Sequence, residues 1–103
     1  MIQGTTPTLQ FNLPIETNTI KSAEIVLQYL ANGERVTIER SMEECSVGAK
    51  SISAVLTQEE TLALPAPTIA NVQLRVLTID DRVLASRVIE VSINELLKES
   101  VLE

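Results

Sequence analysis

The residues of this chain that could do chemistry are fourteen carboxylates, eight lysine and arginine side chains and one thiol, Cys45; there is no His. Without imidazole the commonest general base and the commonest metal ligand are missing, so a Ser or Cys nucleophile has no usual activating partner. A Ser–Lys pair on one helical turn needs Ser-x-x-Lys, and none of Lys21, Lys50 and Lys98 follows a serine at that spacing. Cys45 directly follows Glu43 and Glu44. Negative neighbours raise a thiol pKa, which suits a small apolar residue at a strand start and not a nucleophile.

Carboxylates are adjacent at Glu43-Glu44, Glu59-Glu60 and Asp80-Asp81. Neighbours on a strand point to opposite faces, so adjacency is not an acid–base pair in space. Glu59 and Glu60 suit a helix N-terminus, and Asp80-Asp81 suits a turn. Gly4, Gly33 and Gly48 are too scattered for a phosphate loop, and the alternating ligands of a Ca²⁺ loop are absent. No catalytic residue, cofactor or metal ligand is therefore expected, and the chain does not read as an enzyme.

A length of 103 residues fits one domain, spanning 1–103. A chain of this size buries roughly 65% of its unfolded surface. Hydrophobic residues are 45% and charged residues 21%, a globular balance. Aromatic residues are only 2%, which leaves nothing for bases to stack on, and the net charge of −6 repels a polyanion. No apolar run approaches the ~20 residues that span a bilayer. Neither nucleic acid nor membrane is expected as a partner. The opening Met1-Ile2-Gln3-Gly4-Thr5-Thr6-Pro7 lacks basic and apolar signal regions, so synthesis in the cytoplasm is expected. A single Cys excludes an internal disulfide.

Alternation in short Val-, Ile- and Thr-rich blocks predicts strands. Thr8 to Leu13 places Leu9, Phe11 and Leu13 on one face, between Pro7 and Pro14. Ala23 to Leu30 and Arg35 to Arg40 form a hairpin around Asn32-Gly33, residues that tolerate positive φ. A second hairpin turns at Val47-Gly48-Ala49-Lys50 and continues as Ser51 to Leu56. Thr57-Gln58-Glu59-Glu60 is a capping box, predicting one or two helical turns from Thr57 to Leu64, ended by Pro65. Asn71 to Ile79 and Val83 to Ile93 form a last hairpin about Asp80-Asp81-Arg82, with a bulge near Leu84, Ala85 and Ser86. Asn94 to Glu99 reads as a short helix. The expected fold is all-β: an antiparallel, immunoglobulin-like β-sandwich of six to seven strands, with a short helix carrying the chain between sheets. The Cys pair and Trp of antibody domains are absent, so this likeness is one of architecture.

Val26, Leu30, Leu77 and Ile79 break one-sided alternation and face away from the main apolar stripes. On one sheet they would form an apolar outer face for association, unless the segments 1–7 and 94–103 fold over it. Arg75 would either anchor a partner carboxylate or pair with a cross-strand acid such as Glu90. Strand edges offer a second route to association. The candidate interface is Val26, Leu30, Arg75, Leu77 and Ile79.

Three segments carry a family resemblance: Ile2 to Thr8, Val55 to Thr61, and Val72 to Thr78. Together they resemble small proteins of phages and prophages of Gram-positive bacteria, with similar "QGTTPT", "LTQE-T" and "QLRVLT" stretches. This chain departs from that pattern at Ala85-Ser86 and at Asp80-Asp81-Arg82, which lacks the usual Gly. The resemblance implies a non-enzymatic structural or assembly module, associated with the virion or tail. It would act through contacts with itself, as a homo-oligomer, or with other virion proteins, after synthesis in the bacterial host. The alternative is a β-sandwich that binds a ligand or cell-surface carbohydrate, for which Tyr29 alone is a poor platform.

Overall fold

Alternating apolar residues in this chain form strands whose buried faces meet across two antiparallel sheets, as a computed structural model describing residues 1–96 shows. The strands are β1 (Thr8–Asn12), β2 (Ile20–Ala31), β3 (Glu34–Ser41), β4 (Ser46–Val47) and β5 (Ser51–Val55); then follow α1 (Gln58–Leu62), β6 (Thr68–Thr78), β7 (Val83–Ala85) and β8 (Ile89–Ile93). The smaller sheet has the order β1-β5-β4. In the larger sheet β3, β2 and β6 are neighbours, and β7 and β8 both pair with the remaining edge of β6. The all-β, two-sheet expectation holds. Among the described residues no helix is long and apolar enough to cross a membrane.

The β2–β6 register builds the core. Ile25 lies opposite Leu74 and Leu27 opposite Val72. Ile25, Leu27 and Tyr29 on β2, with Ala70, Val72, Leu74 and Val76 on β6, are buried on one face. Phe11, Ile52, Ala54 and Leu56 pack against them from the smaller sheet. The aliphatic core reflects a composition with two aromatic residues, Phe11 and Tyr29, both of them spent inside.

Local chemistry sets the turns. Asn32 (φ 53°) and Gly33 (φ 80°) take the two left-handed positions of the β2–β3 hairpin. Asp81 (φ 64°) takes the left-handed position between β6 and β7, where Gly is the commoner choice. Thr78 steadies that turn: its hydroxyl donates to the Asp80 carboxylate, and its Oγ1 accepts from the Arg82 N–H at 3.0 Å.

The link from β5 to β6 crosses between the sheets, as expected, and α1 forms within it. Thr57 caps α1: its Oγ1 accepts from the Glu60 N–H at 3.1 Å, while Glu60 Oε1 accepts from the Thr57 N–H at 2.9 Å. Arg40, on β3, also donates to Glu60 Oε1. The two side chains are 17% and 25% exposed, so this ion pair is shielded more than any other among the described residues. It ties the crossover helix to the larger sheet.

Four elements differ from expectation. β2 and β6 each begin three residues earlier, at Ile20 and Thr68 rather than Ala23 and Asn71. Thr68–Val72 is held as strand by β8, a pairing that only the tertiary fold supplies. The expected strand Val83 to Ile93 is interrupted at residues 86–88. There Ser86 N donates to Leu74 O at 2.8 Å, and Ser86 Oγ takes the ladder acceptor position opposite the Leu74 N–H at 3.0 Å. This is where the bulge was expected, and it makes the count eight strands among the described residues. The helix expected at 94–99 is absent over 94–96. Asn94 instead bridges Ile2 in parallel, and residues 97–99 lie outside the described residues.

Glu60 makes this arrangement sensitive to pH. Burial alone would raise its carboxyl pKa, but the Thr57 N–H and the Arg40 guanidinium outweigh that and hold it below the usual value. A depressed folded-state pKa stabilises above the unfolded value of about 4.3 and is lost as pH falls through the folded value. Glu60→Gln is therefore expected to cost about 1–2 kcal/mol at pH 7. Its urea-unfolding curve should converge on wild type as pH falls towards 3, since the wild-type advantage titrates away. A constant gap between the two across that range would disprove the assignment.

Candidate interaction surface

Four of the five candidate interface residues, Val26, Leu30, Arg75 and Leu77, follow the outward phase of the larger sheet, and the five form no continuous apolar face. Leu30, next to last in β2, lies opposite Arg35. Val26 sits between Glu39 of β3 and Gln73 of β6. Leu77 lies between Ser22 and Val83, and Ile79 lies beyond the end of β6. Leu30 packs beside Ile69, eight residues from Leu77 along β6, or about 27 Å at strand rise. Glu24, Gln28, Thr37, Asn71 and Gln73 occupy the ground between. The segment 1–7 packs elsewhere: the Gln3 amide donates to Leu64 O, and Pro7 O accepts from the Leu56 N–H.

Arg75 has a cross-strand partner, Glu24 at 2.6 Å; Glu90 stands instead opposite Asn71. The pair is exposed, at 61% and 39%, so it is worth well under 1 kcal/mol. Cys45 donates its S–H to Ser41 O at 3.2 Å, and burial, then Glu44, raise its pKa. Glu43 and Glu44 lie on a 3₁₀ turn, Met42–Glu44, and not on a strand. The Glu44 carboxylate accepts from the Ser41 N–H and hydroxyl at 3.0 and 3.1 Å, which lowers its pKa. Ser41-x-x-Glu44 is itself a capping-box spacing, a signal available in the sequence. No group of His, Cys, Asp and Glu able to hold a metal occurs among the described residues.

The surface best suited to contact is instead the open side between the sheets. A cleft of about 350 Å³ there is lined by Phe11, Leu13, Pro14 and Ile15 on one wall and Leu74, Val76 and Leu84 on the other. Ile15 and Leu84 also border a neighbouring depression that runs on to Ile79 and Arg82. The apolar groove therefore follows β7 along its length, and it takes in Ile79 of the expected residues. Leu84 projects towards it because Leu84 is paired with buried Val76.

The strand beside this groove is itself bare. All three residues of β7 are exposed. Val83 is 63%, Leu84 42%, Val88 56% and Ile89 48% exposed, in a stretch where, among the described residues, the edge of the sheet has no further strand. Sequence reasoning passed over Phe11 because alternation placed it on the apolar face of a strand, and over Leu84 because it fell at the expected bulge. The available signal was a run apolar in both phases, Val83-Leu84-Ala85, next to the break.

Comparison with protein-family models, with curated proteins and with solved structures finds no match to this chain.

Two outcomes check these assignments. A double-mutant cycle on Glu24→Gln and Arg75→Gln should return a coupling below about 1 kcal/mol; a larger value would make the pair structural. Cys45 should be alkylated by iodoacetamide at pH 8 more slowly than a free thiol, since its thiolate fraction is reduced.

Proposed function

We propose that this chain is a non-enzymatic assembly module that works through protein–protein contacts, as a virion- or tail-associated part of phage origin. The observation that carries the reading is the apolar, unpaired β7 edge beside an apolar groove. Surface of this kind is costly on a free monomer and is the usual mark of a binding site. The phage resemblance supports the same reading independently. We also infer an immunoglobulin-like arrangement of the sandwich, supported by the crossover through α1 between β5 and β6.

Carbohydrate binding is the second reading. It is favoured by the shallow polar depression on the outer face, where Gln28, Asn71 and Gln73 lie with Glu24, Glu39 and Arg75. Against it, Phe11 and Tyr29 are both buried, so no aromatic ring is free to stack on a sugar.

Light scattering of the purified protein, alone and mixed with the products of adjacent genes, separates the readings. The assembly reading expects a defined complex with itself or with one of them. A protein that stays monomeric in every mixture, yet is retained on a glycan array, would replace it with the second.

A further inference from the structure

The ladder shows which backbone groups the free edge offers. Arg82 O accepts from the Thr78 N–H, and Ser86 N donates to Leu74 O, so both residues bond inward to β6. In an antiparallel ladder the residues between alternate. Leu84 therefore bonds inward, and Val83 and Ala85 turn their N–H and C=O groups outward. A strand laid against β7 would meet these groups and close the open side of the sandwich. Every second side chain on it would enter the groove lined by Phe11, Leu13, Ile15 and Leu84.

Charge narrows the occupant. Residues 82–89 read Arg-Val-Leu-Ala-Ser-Arg-Val-Ile, two arginines and no carboxylate, in a chain of net −6. Arg87 makes no ion pair among the described residues, and Arg82 reaches Asp80 only at 3.8 Å with both side chains exposed. A second copy fits poorly. Antiparallel self-pairing through the outward groups of Val83 and Ala85 centres on Leu84, sets Arg82 opposite the other copy's Ser86, and spans only the three residues of β7. The other long free edge, β3, carries Glu34, Arg35, Glu39 and Arg40 and is protected by them.

We propose that β7 accepts an added strand from a partner protein. Its chemistry is an extended segment of alternating apolar residues with a carboxylate near each end, facing Arg82 and Arg87. The proposal rests on the assembly reading and specifies its mode.

The probe is a capped synthetic peptide, Glu-Val-Thr-Ile-Thr-Val-Thr-Glu, titrated into the full chain and followed by amide NMR. Saturable shifts at Val83 and Ala85 are expected, with Kd below about 1 mM. A peptide with Lys at both ends should bind about tenfold more weakly. Ala85→Pro removes an outward N–H without touching an inward bond, and should abolish binding while leaving the remaining spectrum folded. Arg82→Glu combined with Arg87→Glu should reverse the preference in favour of the Lys-ended peptide, and tests the proposal even where the proline variant does not fold. Absence of saturation, equal affinity for the two peptides, or no reversal would overturn the proposal. A homodimer lost in Ala85→Pro would replace the partner strand with a second copy. A complex with an adjacent gene product that survives both edge variants would overturn strand addition while leaving the assembly reading standing.

Discussion

The pairing of β2 with β6 is the constraint on which the other elements depend. With Ile25 opposite Leu74 and Leu27 opposite Val72, two strands place their buried aliphatics on one face in a single register. A slip of one residue would carry that whole set to solvent and bring Glu24, Gln28, Gln73 and Arg75 inside. The cost of burying those polar groups unpaired far exceeds any alternative hydrogen-bond gain. The Glu24–Arg75 pair is thus a consequence of the register, since the residues flanking the aliphatic pairs must meet on the opposite face. The smaller sheet adds Phe11, Ile52, Ala54 and Leu56 to a surface already defined.

Closing the sandwich then turns on its edges. β3 is long and free but charged, β4 is two residues long, and β1 is bracketed by Pro7 and Pro14. Each is a poor template for further pairing. At β8 the N-terminal segment covers the end of the sheet: Ile2 bridges Asn94, and the Met1 amino group donates to Ser92 O. β7 is also short, at three residues, but it carries no charge or proline and, among the described residues, no covering segment. The Ser86 break keeps its three residues attached to β6 while preventing a continuous edge strand from Val83 to Ile93.

Much of this was legible in the sequence, for physical reasons that differ by element. Asn32-Gly33 named its hairpin because few residues accept two successive positive φ angles. Thr57 and Glu60 named the start of α1 because a reciprocal cap depends only on residues three apart. The alternation of β6 named its inner face. Local signals could not give the partner of Thr68–Val72, which is fixed by β8 some twenty residues on. Nor could they give Arg40 as the cation on Glu60, since β3 and α1 meet only in the fold. The outward phase of Val26, Leu30, Leu77 and Ile79 was read from alternation alone. Alternation holds no information about the polar side chains that neighbouring strands insert between them, so an expected patch became scattered positions.

The scarcity of aromatic residues links core and surface. Phe11 and Tyr29 are both drawn inside, so what the exterior offers to a partner is backbone groups, aliphatic side chains and charge, and no aromatic ring. An aliphatic edge gives little directional information by itself, because dispersion and burial are not directional. In the proposed strand addition, the outward N–H and C=O groups of β7 would supply direction, and the two flanking arginines would supply register. At physiological salt a charge acts over about 8 Å. The overall −6 therefore shapes the approach of a partner only in general terms, while Arg82 and Arg87 act on whatever already lies against the edge. In the proposed mode, a sandwich that has used its rings to close a small core would draw its selectivity from the order of groups along one short strand.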